Sequence, residues 1–238
     1  MKLIILREGK WCATSLTGSS GFDSHPEIFY IKKISRENRL TSRVCPRIGG
    51  DIMLKKRDLQ ETQALYELMV DPAVFPFVRH KAYSYEEFLF LTKQTIEAEE
   101  RGELISRTIL DEWGSPIGTI NLFDIQSNAG FLGTWLGKPF HGKGYNKPAK
   151  DAFFNEIFYE LSIDTIFMRI RKVNIRSMMA AEKLPYVTLA NETRKGLLDE
   201  INNGQDLYNL YEVSKDLYTL HTMRTIHTIE EEHQLKEA

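Results

Sequence analysis

A strand, a glycine turn and a helix follow one another within residues 131–161, and this succession limits the folds open to the chain. Residues 131–136 are apolar and have the length of a β-strand. Gly142 and Gly144 come next, and glycine adopts backbone angles that other residues avoid. Apolar residues then recur every four positions, which predicts a helix. These residues are Ala149, Phe153, Ile157 and Leu161.

The predicted helix carries the signals of a helix start. Asn146 is predicted to be its N-cap, and Pro148 fits the first turn, where a missing N–H group costs nothing. A strand that turns through glycines into a helix directs several free N–H groups at one point. Such a point binds anions, most often phosphate. We therefore predict a phosphate site here, and the remaining sequence must indicate which phosphate it binds.

The composition is that of an ordinary globular protein. The 238 residues are 42% hydrophobic and 27% charged, which is enough apolar material for a substantial core. The formal net charge is −2, so no overall positive field attracts nucleic acid or an anionic membrane. No apolar run approaches the length of a transmembrane helix. We therefore expect neither nucleic acid nor a membrane as a partner.

The cysteines and the late histidines give no sign of a metal site. Cys12 and Cys45 are isolated, so we expect reduced thiols and a cytoplasmic location. His221, His227 and His233 repeat every six residues, a spacing that scatters them around a helix. We therefore expect no bound metal ion.

The sequence divides into an extension, a main domain and a tail. Residues 1–49 contain two predicted strands, at 2–6 and 28–34, separated by a segment rich in glycine and serine. They would form a hairpin, a lid or a dimer arm, and the last of these would make a homodimer. Residues 50–220 form the main domain. Residues 221–238 are a charged tail, either helical or loose.

The main domain has the predicted order β-α-α-β-β-β-α-β-α-β-β, which indicates a mixed α/β (α+β) fold. Three strands in succession form an antiparallel meander, and the strand–helix–strand unit after it indicates a parallel pair. An open doubly wound sheet would alternate strands and helices throughout. The strands are predicted at 51–56, 105–110, 116–125, 129–136, 165–171, 186–189 and 207–213, and the helices begin at Asp58, Ser84, Asn146 and Asn174.

One interpretation of the glycine turn is a nucleotide-binding loop. Residues 137–143 satisfy the pattern Gly-x-x-x-x-Gly-Lys, but Gly144 occupies the eighth position, where a magnesium-binding Ser or Thr belongs. The loop also follows a meander, and no strand ending in aspartate comes after it. A nucleotide hydrolase is therefore the third hypothesis for this chain.

Four motifs in the correct order support another interpretation. Together they resemble the GNAT superfamily of acetyl-CoA-dependent N-acetyltransferases, especially its RimJ/RimL-like branch. The resemblance implies a central mixed sheet of six to seven strands flanked by about four helices, with acetyl-CoA as the acyl donor. The motifs are Ile117-Gly118-Thr119-Ile120, Leu132-Gly133-Thr134-Trp135-Leu136, His141-Gly142-Lys143-Gly144-Tyr145, and Asn174-Ile175-Arg176-Ser177 with Ala181-Glu182-Lys183-Leu184-Pro185-Tyr186.

The resemblance implies which residues bind coenzyme A. Backbone N–H groups near Trp135 and Leu136 would polarise the thioester carbonyl where two strands splay apart. Lys143 and Lys147 would act on the phosphates as point charges; alternatively both are solvated. The pyrophosphate-binding motif corresponds to His141, Gly142, Lys143, Gly144, Tyr145 and Asn146.

The resemblance also implies catalytic residues. Ser177 would donate a hydrogen bond to the leaving thiolate, and Asn174 would hold pantetheine or the acceptor; alternatively both merely cap their helix. An alkylamine with a pKa near ~10 must lose a proton before it attacks, so a base is required. The sequence does not identify that base: Asp124 and Glu103 are candidates, and the alternative for each is an ordinary strand-end or turn carboxylate.

The acceptor is expected between residues 71–83 and 188–205. It would be a primary amine of a small molecule or of a protein N-terminus. Four residues of an aromatic loop are candidates for its pocket, and packing within their own domain is their alternative role. They are Phe75, Phe77, Arg79 and His80.

The sequence departs from the family pattern in three places. His141 replaces Gln or Arg, Asn146 replaces Gly or Ala, and Pro185-Tyr186 replaces Gly-Phe. Asn146 places a side chain where the family backbone approaches the phosphates. A non-catalytic acyl-CoA-binding module is therefore the second hypothesis, beside the N-acetyltransferase.

Overall fold

The computed structural model describes residues 4–7, 10–13 and 53–237. The chain separates into two compact units, residues 1–47 and 48–238. In the first, β1 (Ile4–Arg7) pairs antiparallel with β2 (Lys10–Ala13), a strand that was not predicted from the sequence. The predicted strand at 28–34 lies outside the described residues. The proposed domain boundaries at 49/50 and 220/221 stay predictions.

The second unit contains a seven-stranded mixed sheet. Its strand order is β3-β4-β5-β6-β7-β9-β8, and every neighbouring pair is antiparallel except β6 and β7. The predicted meander and the predicted parallel junction are both confirmed. The strands are β3 (Met53–Lys56), β4 (Ile105–Leu110), β5 (Pro116–Gln126), β6 (Ala129–Leu136), β7 (Thr165–Arg171), β8 (Thr188–Leu189) and β9 (Tyr208–Ser214).

Six α-helices accompany this sheet in the described part of the chain, where the sequence suggested about four. The additional ones are α5, within a segment predicted to be a polar loop, and α6, which includes most of the predicted tail and already begins at Lys215. The helices are α1 (Thr62–Met69), α2 (Tyr85–Glu100), α3 (Asn146–Tyr159), α4 (Ile175–Glu182), α5 (Lys195–Asn202) and α6 (Lys215–Glu237).

Two of the four predicted helix caps are correct. Ser84 accepts a hydrogen bond from the N–H of Glu87 at 3.2 Å, and Asn174 accepts one from Ser177 at 3.2 Å. Asp58 was predicted wrongly, because α1 begins only at Thr62 and the Asp58 carboxylate accepts from the N–H of Gln60 instead.

Asn146 was also predicted wrongly as a cap. Tyr145 precedes α3 with helical backbone angles, so Asn146 is the first helical residue and no side chain caps this end. The far end differs too. Helix α3 stops at Tyr159, and Leu161 is 41% exposed beyond it.

The two faces of the sheet bury separate cores. Residues of α3, α4 and α6 pack with alternate residues of β4 and β5, such as Ile105 and Leu122, on one face. Residues of α1 and α2, together with Trp135, form a second cluster, and α5 packs with Phe167 and Leu210 in a third. In the sheet register, Leu122 faces Leu132 and Asn121 faces Gly133 across β5 and β6. Because successive residues point to opposite faces, each row of partners belongs to one face.

The parallel pair at the centre of the sheet is short. Strands β6 and β7 pair only at Ala129–Thr165, Gly130–Ile166 and Phe131–Phe167. From Leu132 onward β6 pairs with β5 alone. The sheet therefore has a gap between β6 and β7 on the side where β6 leads into the glycine turn.

Strand β5 approaches β6 closely beside this gap. A Cβ atom on Gly118 would lie 2.2 Å from the carbonyl oxygen of Trp135 and 2.9 Å from the Cα atom of Leu136. Both are backbone atoms, so relief of the clash requires the strands to move apart.

We expect Gly118→Ala to lower the free energy of unfolding by about 1–3 kcal/mol, the usual cost of overpacking a tight site. Gly196→Ala is the matched control, because nothing lies within 4 Å of a Cβ on this helical residue. Alanine there should be neutral or slightly stabilising. Urea unfolding of the two variants checks the prediction, and equal stability would contradict it.

Candidate active site

A cleft of about 1310 Å³ connects the two faces of the sheet at the gap between β6 and β7. The start of α3, the start of α4, the aromatic loop before α2 and the ends of β5, β6 and β7 all contribute to its lining. Most of the predicted site residues meet here. They are Trp135, Leu136, His141, Gly142, Gly144, Tyr145, Asn146, Lys147, Asn174, Ser177, Phe77, Arg79 and His80; Lys143 and Phe75 do not line the cleft.

The glycine turn has the backbone geometry of an anion cradle. Gly142 has a φ of 74° and Gly144 a φ of 89°, both in the left-handed region that favours glycine. A Cβ atom on either residue would meet nothing within 4 Å, so the backbone angle is what requires glycine. Helix α3 begins two residues after Gly144 without a side-chain cap. Its first N–H groups are therefore free to bind an anion.

Hydrogen bonds of His141 join the cradle to the end of β6 and to α4. Its Nε2 lies 2.8 Å from the carbonyl oxygen of Leu136, and Arg176 donates a hydrogen bond to its Nδ1 at 2.7 Å. Burial of the ring, more than the nearby positive charges, lowers the pKa of His141. The neutral ring therefore donates from Nε2 and accepts at Nδ1. Arg176 was not predicted to be a site residue. It lies 35 positions from His141 in the sequence, so no local pattern indicated their contact.

The charged and phenolic side chains around the cradle have protein partners. Lys147 forms an ion pair of 2.6 Å with Asp151, one turn along α3. The Tyr145 hydroxyl donates to Glu112 at 2.9 Å. The ammonium of Lys143 lies 5.9 Å from the centre of the Phe140 ring. The predicted phosphate contacts of Lys143 and Lys147 would therefore require these side chains to leave their present partners.

Lys150 is a cleft residue that was not predicted from the sequence. Its side chain is almost fully buried on α3 and lines the cleft. Burial lowers its pKa to about 8, and only the neighbouring charge of Asp151 opposes that effect. The ammonium form still predominates at pH 7. The signal available in the sequence was a lysine beside Ala149 and close to Phe153, on an otherwise apolar helix face.

Asn174 and Ser177, at the start of α4, also line the cleft. Asn174 caps α4 through the N–H of Ser177, so the capping role is confirmed. Both side chains are half-buried and line the cleft, and neither position conflicts with the roles predicted for them. Those catalytic roles stay predictions.

The aromatic loop contributes a second, positively charged wall. The guanidinium of Arg79 lies 4.5 Å from the centre of the Phe123 ring and pairs with Asp124 at 2.7 Å. The ring of His80 contacts Phe123 edge to face, with 5.4 Å between centroids. Partial burial, followed by the charge of Arg79, lowers the pKa of His80.

Neither predicted base lines the cleft. Asp124 pairs with Arg79, and Glu103 pairs with Arg101 at 2.6 Å on an exposed turn. No aspartate or glutamate of the described residues lines the cleft, whereas nine lysines and arginines do. The alternative role of an ordinary strand-end or turn carboxylate therefore fits both residues better, because each is engaged in an ion pair outside the cleft lining.

Metal and membrane features are not found in the part of the chain that the structure describes. None of its groups of His, Cys, Asp and Glu side chains has three members placed to hold a metal ion. None of its helices is long and apolar enough to cross a bilayer.

Comparison with known proteins agrees with this geometry. The sequence profile of the acetyltransferase (GNAT) domain matches residues 52–187, which is more than half of the chain. A search of curated protein sequences finds no match. The chain belongs to the GNAT acetyltransferase family, and its donor is acetyl-CoA.

Solved structures share the fold at low sequence identity. RimL, a ribosomal L7/L12 alpha-N-protein acetyltransferase, is 20% identical with a TM-score of 0.59, and the match covers 71% of this chain and 92% of RimL. FdhC, a nucleotide-linked sugar GNAT, is 15% identical with a TM-score of 0.61, covering 75% and 94%. The spermidine N-acetyltransferase of Vibrio cholerae, solved with CoA and spermine, is 12% identical with a TM-score of 0.58, covering 71% and 98%.

Proposed function

We propose that this chain transfers the acetyl group of acetyl-CoA to a primary amine by direct attack of that amine on the thioester. The observation that carries the proposal is the shared cleft: the glycine cradle at α3 and the gap between β6 and β7 open into one space. The cradle would bind the diphosphate of coenzyme A. The gap leads from the cradle to the other face of the sheet, where an acceptor can approach. Acetyl-CoA supplies an activated acyl group, so the protein needs no covalent intermediate.

The residues present fit coenzyme A. The free N–H groups from Gly142 to Asn146 would hold the pyrophosphate, and the buried Lys150 ammonium adds a positive charge on the same helix. Asn146 is exposed at the first position of α3, so its side chain can point away from the cradle. The N–H groups near Trp135 and Leu136 would face the thioester carbonyl, and the Ser177 hydroxyl would donate to the leaving thiolate.

We assign the general base to His80, acting directly or through water. A general base must be unprotonated at the working pH, which for histidine means the neutral ring, and it must reach the acceptor amine directly or through water. His80 lines the cleft, and its pKa lies below the ordinary value of 6.5 because its ring is partly buried and Arg79 is adjacent. Arg169 also lowers this pKa, and Asp124 opposes the shift. His141 has both nitrogens engaged and is therefore a poorer candidate.

A pair of glycine variants tests the cradle. Gly142 and Gly102 have the same φ of 74°, and a Cβ atom on either would meet open space, but only Gly142 lies in the cleft. Alanine at either position should cause a similar small loss of stability, because a left-handed backbone disfavours a side chain by about 1 kcal/mol. Only Gly142→Ala should weaken acetyl-CoA binding, by about tenfold, because relaxation of φ redirects the N–H groups.

Calorimetric titration with acetyl-CoA and thiol release with a panel of amines provide the measurements. Equal affinities in both glycine variants would contradict the cradle. Acetyl-CoA binding without thiol release, across amino acids, peptides and polyamines, would favour the non-catalytic acyl-CoA-binding module. A melting shift with Mg-ATP and none with acetyl-CoA would favour the nucleotide hydrolase.

The acceptor and the setting of the enzyme complete the proposal. We propose an amine of a small molecule or of a protein N-terminus, approaching from the wall formed by Phe77, Arg79 and His80. Phe75 does not line the cleft and would act only through packing, since its ring contacts Tyr83 at 5.3 Å. The cytoplasmic location and the homodimer stay predictions.

A further inference from the structure

Arg57 is a buried arginine in the cleft, on the face of the sheet opposite α3, and no carboxylate of the described residues pairs with it. Arg57 is 9% exposed, and its Nη1 atom is buried without any hydrogen-bond partner. Its Nη2 atom donates only to the Thr92 hydroxyl, at 3.3 Å. A buried cation is costly unless an anion or several acceptors compensate for its lost hydration. Arg57 therefore has binding capacity that the described residues do not use.

The nearest carboxylates do not neutralise Arg57. Asp58 and Glu61 influence its pKa from a distance, but both pair with Lys55. Glu61 also accepts a hydrogen bond of 2.8 Å from Thr108. Burial prevails over both charges and lowers the pKa of Arg57 to about 10, so the guanidinium remains charged at neutral pH.

The surroundings of Arg57 form a polar chamber, defined here as Arg57, Thr92, Ser106, Thr119 and Asn121. All five are buried and line the cleft. Ser106 donates to Asn121 at 2.5 Å, and Asn121 donates to Thr119 at 3.2 Å. The Thr92 hydroxyl donates to the carbonyl oxygen of Phe88 at 2.9 Å. The donors that the chamber offers an oxyanion are therefore the Arg57 guanidinium and the Thr119 hydroxyl, and the other polar groups hold them in place.

The chamber lies on the acceptor side of the reaction. Ser106, Asn121 and Gly133 form one row across β4, β5 and β6, on the face where α1 and α2 pack. The cradle belongs to α3, which packs on the other face. A donor held by the cradle reaches the gap from one face, so the second reactant approaches from the chamber.

We propose that Arg57 binds a carboxylate of the acceptor, so that the substrate is an amine that also carries an acidic group. This inference rests on the proposed function and names the substrate class of the same site. If the pairing of β3 with β4 is continued by one residue, Arg57 lies opposite Ser106. The backbone of Arg57 is then three strand spacings from β6, or roughly 14 Å at ~4.8 Å per spacing. The amine and the carboxylate are therefore several bonds apart, as in a peptide. Nine lysines and arginines line the cleft, and only Arg79 and Lys147 of these pair with a carboxylate of the described residues. This excess of positive charge also disfavours polyamines, because they are polycations.

Matched acceptors test this assignment by their effect on kcat/KM. One pair is the dipeptide amide Ala-Glu against Ala-Gln, which differ only in a side-chain carboxylate. A second pair is Ala-Ala against its C-terminal amide, which tests a terminal carboxylate instead. Spermidine is the cationic comparison. We expect the carboxylate to raise kcat/KM by about tenfold to a hundredfold in at least one pair, since hydrogen bonds to charged groups have that strength.

Three variants connect the preference to Arg57. Arg57→Met should abolish the preference, and Arg57→Lys should retain part of it, because lysine keeps the charge without the bidentate fork. Arg101→Met is the control: it removes an exposed arginine that lies outside the cleft and pairs with Glu103. None of these changes should alter the affinity for acetyl-CoA. If Arg57→Met does not fold, Arg57→Lys and the unaltered chain still decide the question.

The outcomes separate this inference from the proposed function. Efficient acetylation of spermidine or of the neutral peptides would overturn the role of Arg57 while leaving the acetyltransferase intact. Survival of the preference in Arg57→Met would also overturn it. If no acceptor is acetylated, the affinity of the peptides for the protein saturated with coenzyme A is measured instead. Tighter binding of the carboxylated member of a pair supports the role of Arg57, and equal binding refutes it.

Discussion

Replacing His80 with glutamine is expected to lower kcat by about 10²-fold, the lower end of what general-base catalysis contributes. Glutamine keeps the polarity of the side chain but cannot accept the proton of the attacking amine. The affinity for acetyl-CoA should not change, because His80 stands on the acceptor side of the gap. Initial rates of thiol release at saturating acetyl-CoA provide the measurement.

The pH profile distinguishes a base from a residue that only positions the acceptor. A histidine base acts only when neutral, and burial together with Arg79 and Arg169 lowers the pKa of His80. The rate should therefore be level above the ordinary histidine value of 6.5 and should fall as pH drops through the lowered pKa. In His80→Gln this acidic limb should disappear. An unchanged limb in the variant would assign the titration to another group.

Glu103→Gln is the matched control for His80→Gln. The sequence made Glu103 a candidate base, but the structure pairs it with Arg101 on an exposed turn outside the cleft. We expect Glu103→Gln to keep the full rate and the same pH profile. A large loss of kcat in Glu103→Gln, with none in His80→Gln, would identify Glu103 as the base instead.

The parts of the site that could be predicted from the sequence are those determined locally. The left-handed backbone at Gly142 and Gly144 follows from a strand that must turn into a helix within a few residues. The cap at Asn174 likewise depends on a side chain and an N–H group only three positions apart. The cap predicted at Asn146 was wrong because Tyr145, the residue before it, already has helical backbone angles. The helix start therefore differs from the predicted one by a single residue.

Tertiary packing accounts for what the sequence did not indicate. Helix α5 lies in a polar segment, and only its contact with the Phe167 cluster through Leu197, Leu198 and Ile201 accounts for it. Arg57 belongs to a run of charged residues that is typical of a solvated segment, whereas the fold buries its guanidinium. A single sequence carries no signal for the burial of one charge among several. Nothing in the sequence therefore indicated that Arg57 lines the cleft.

The largest expected effect on stability comes from Arg107, which joins β4 to two helices. Its guanidinium is buried, donates to both oxygens of Glu156 on α3, and pairs with Glu99 on α2 at 2.5 Å. It also donates to the carbonyl oxygen of Ser106 at 2.6 Å. Removal of the arginine leaves the carboxylates of Glu99 and Glu156, which are only 17% and 23% exposed, without compensation. We expect Arg107→Met to lower the free energy of unfolding by about 3–5 kcal/mol.

A combined variant separates lost attraction from stranded charge. Replacing Glu99 and Glu156 with glutamine in the Arg107→Met background should recover much of the stability, because neutral amides tolerate burial better than unpaired carboxylates. Arg101→Met breaks the exposed pair with Glu103 and should leave the urea midpoint unchanged. Urea unfolding followed by circular dichroism measures all three. If the triple variant is less stable than Arg107→Met, the ion network itself, rather than the cost of unpaired charge, holds α2 and α3 against β4.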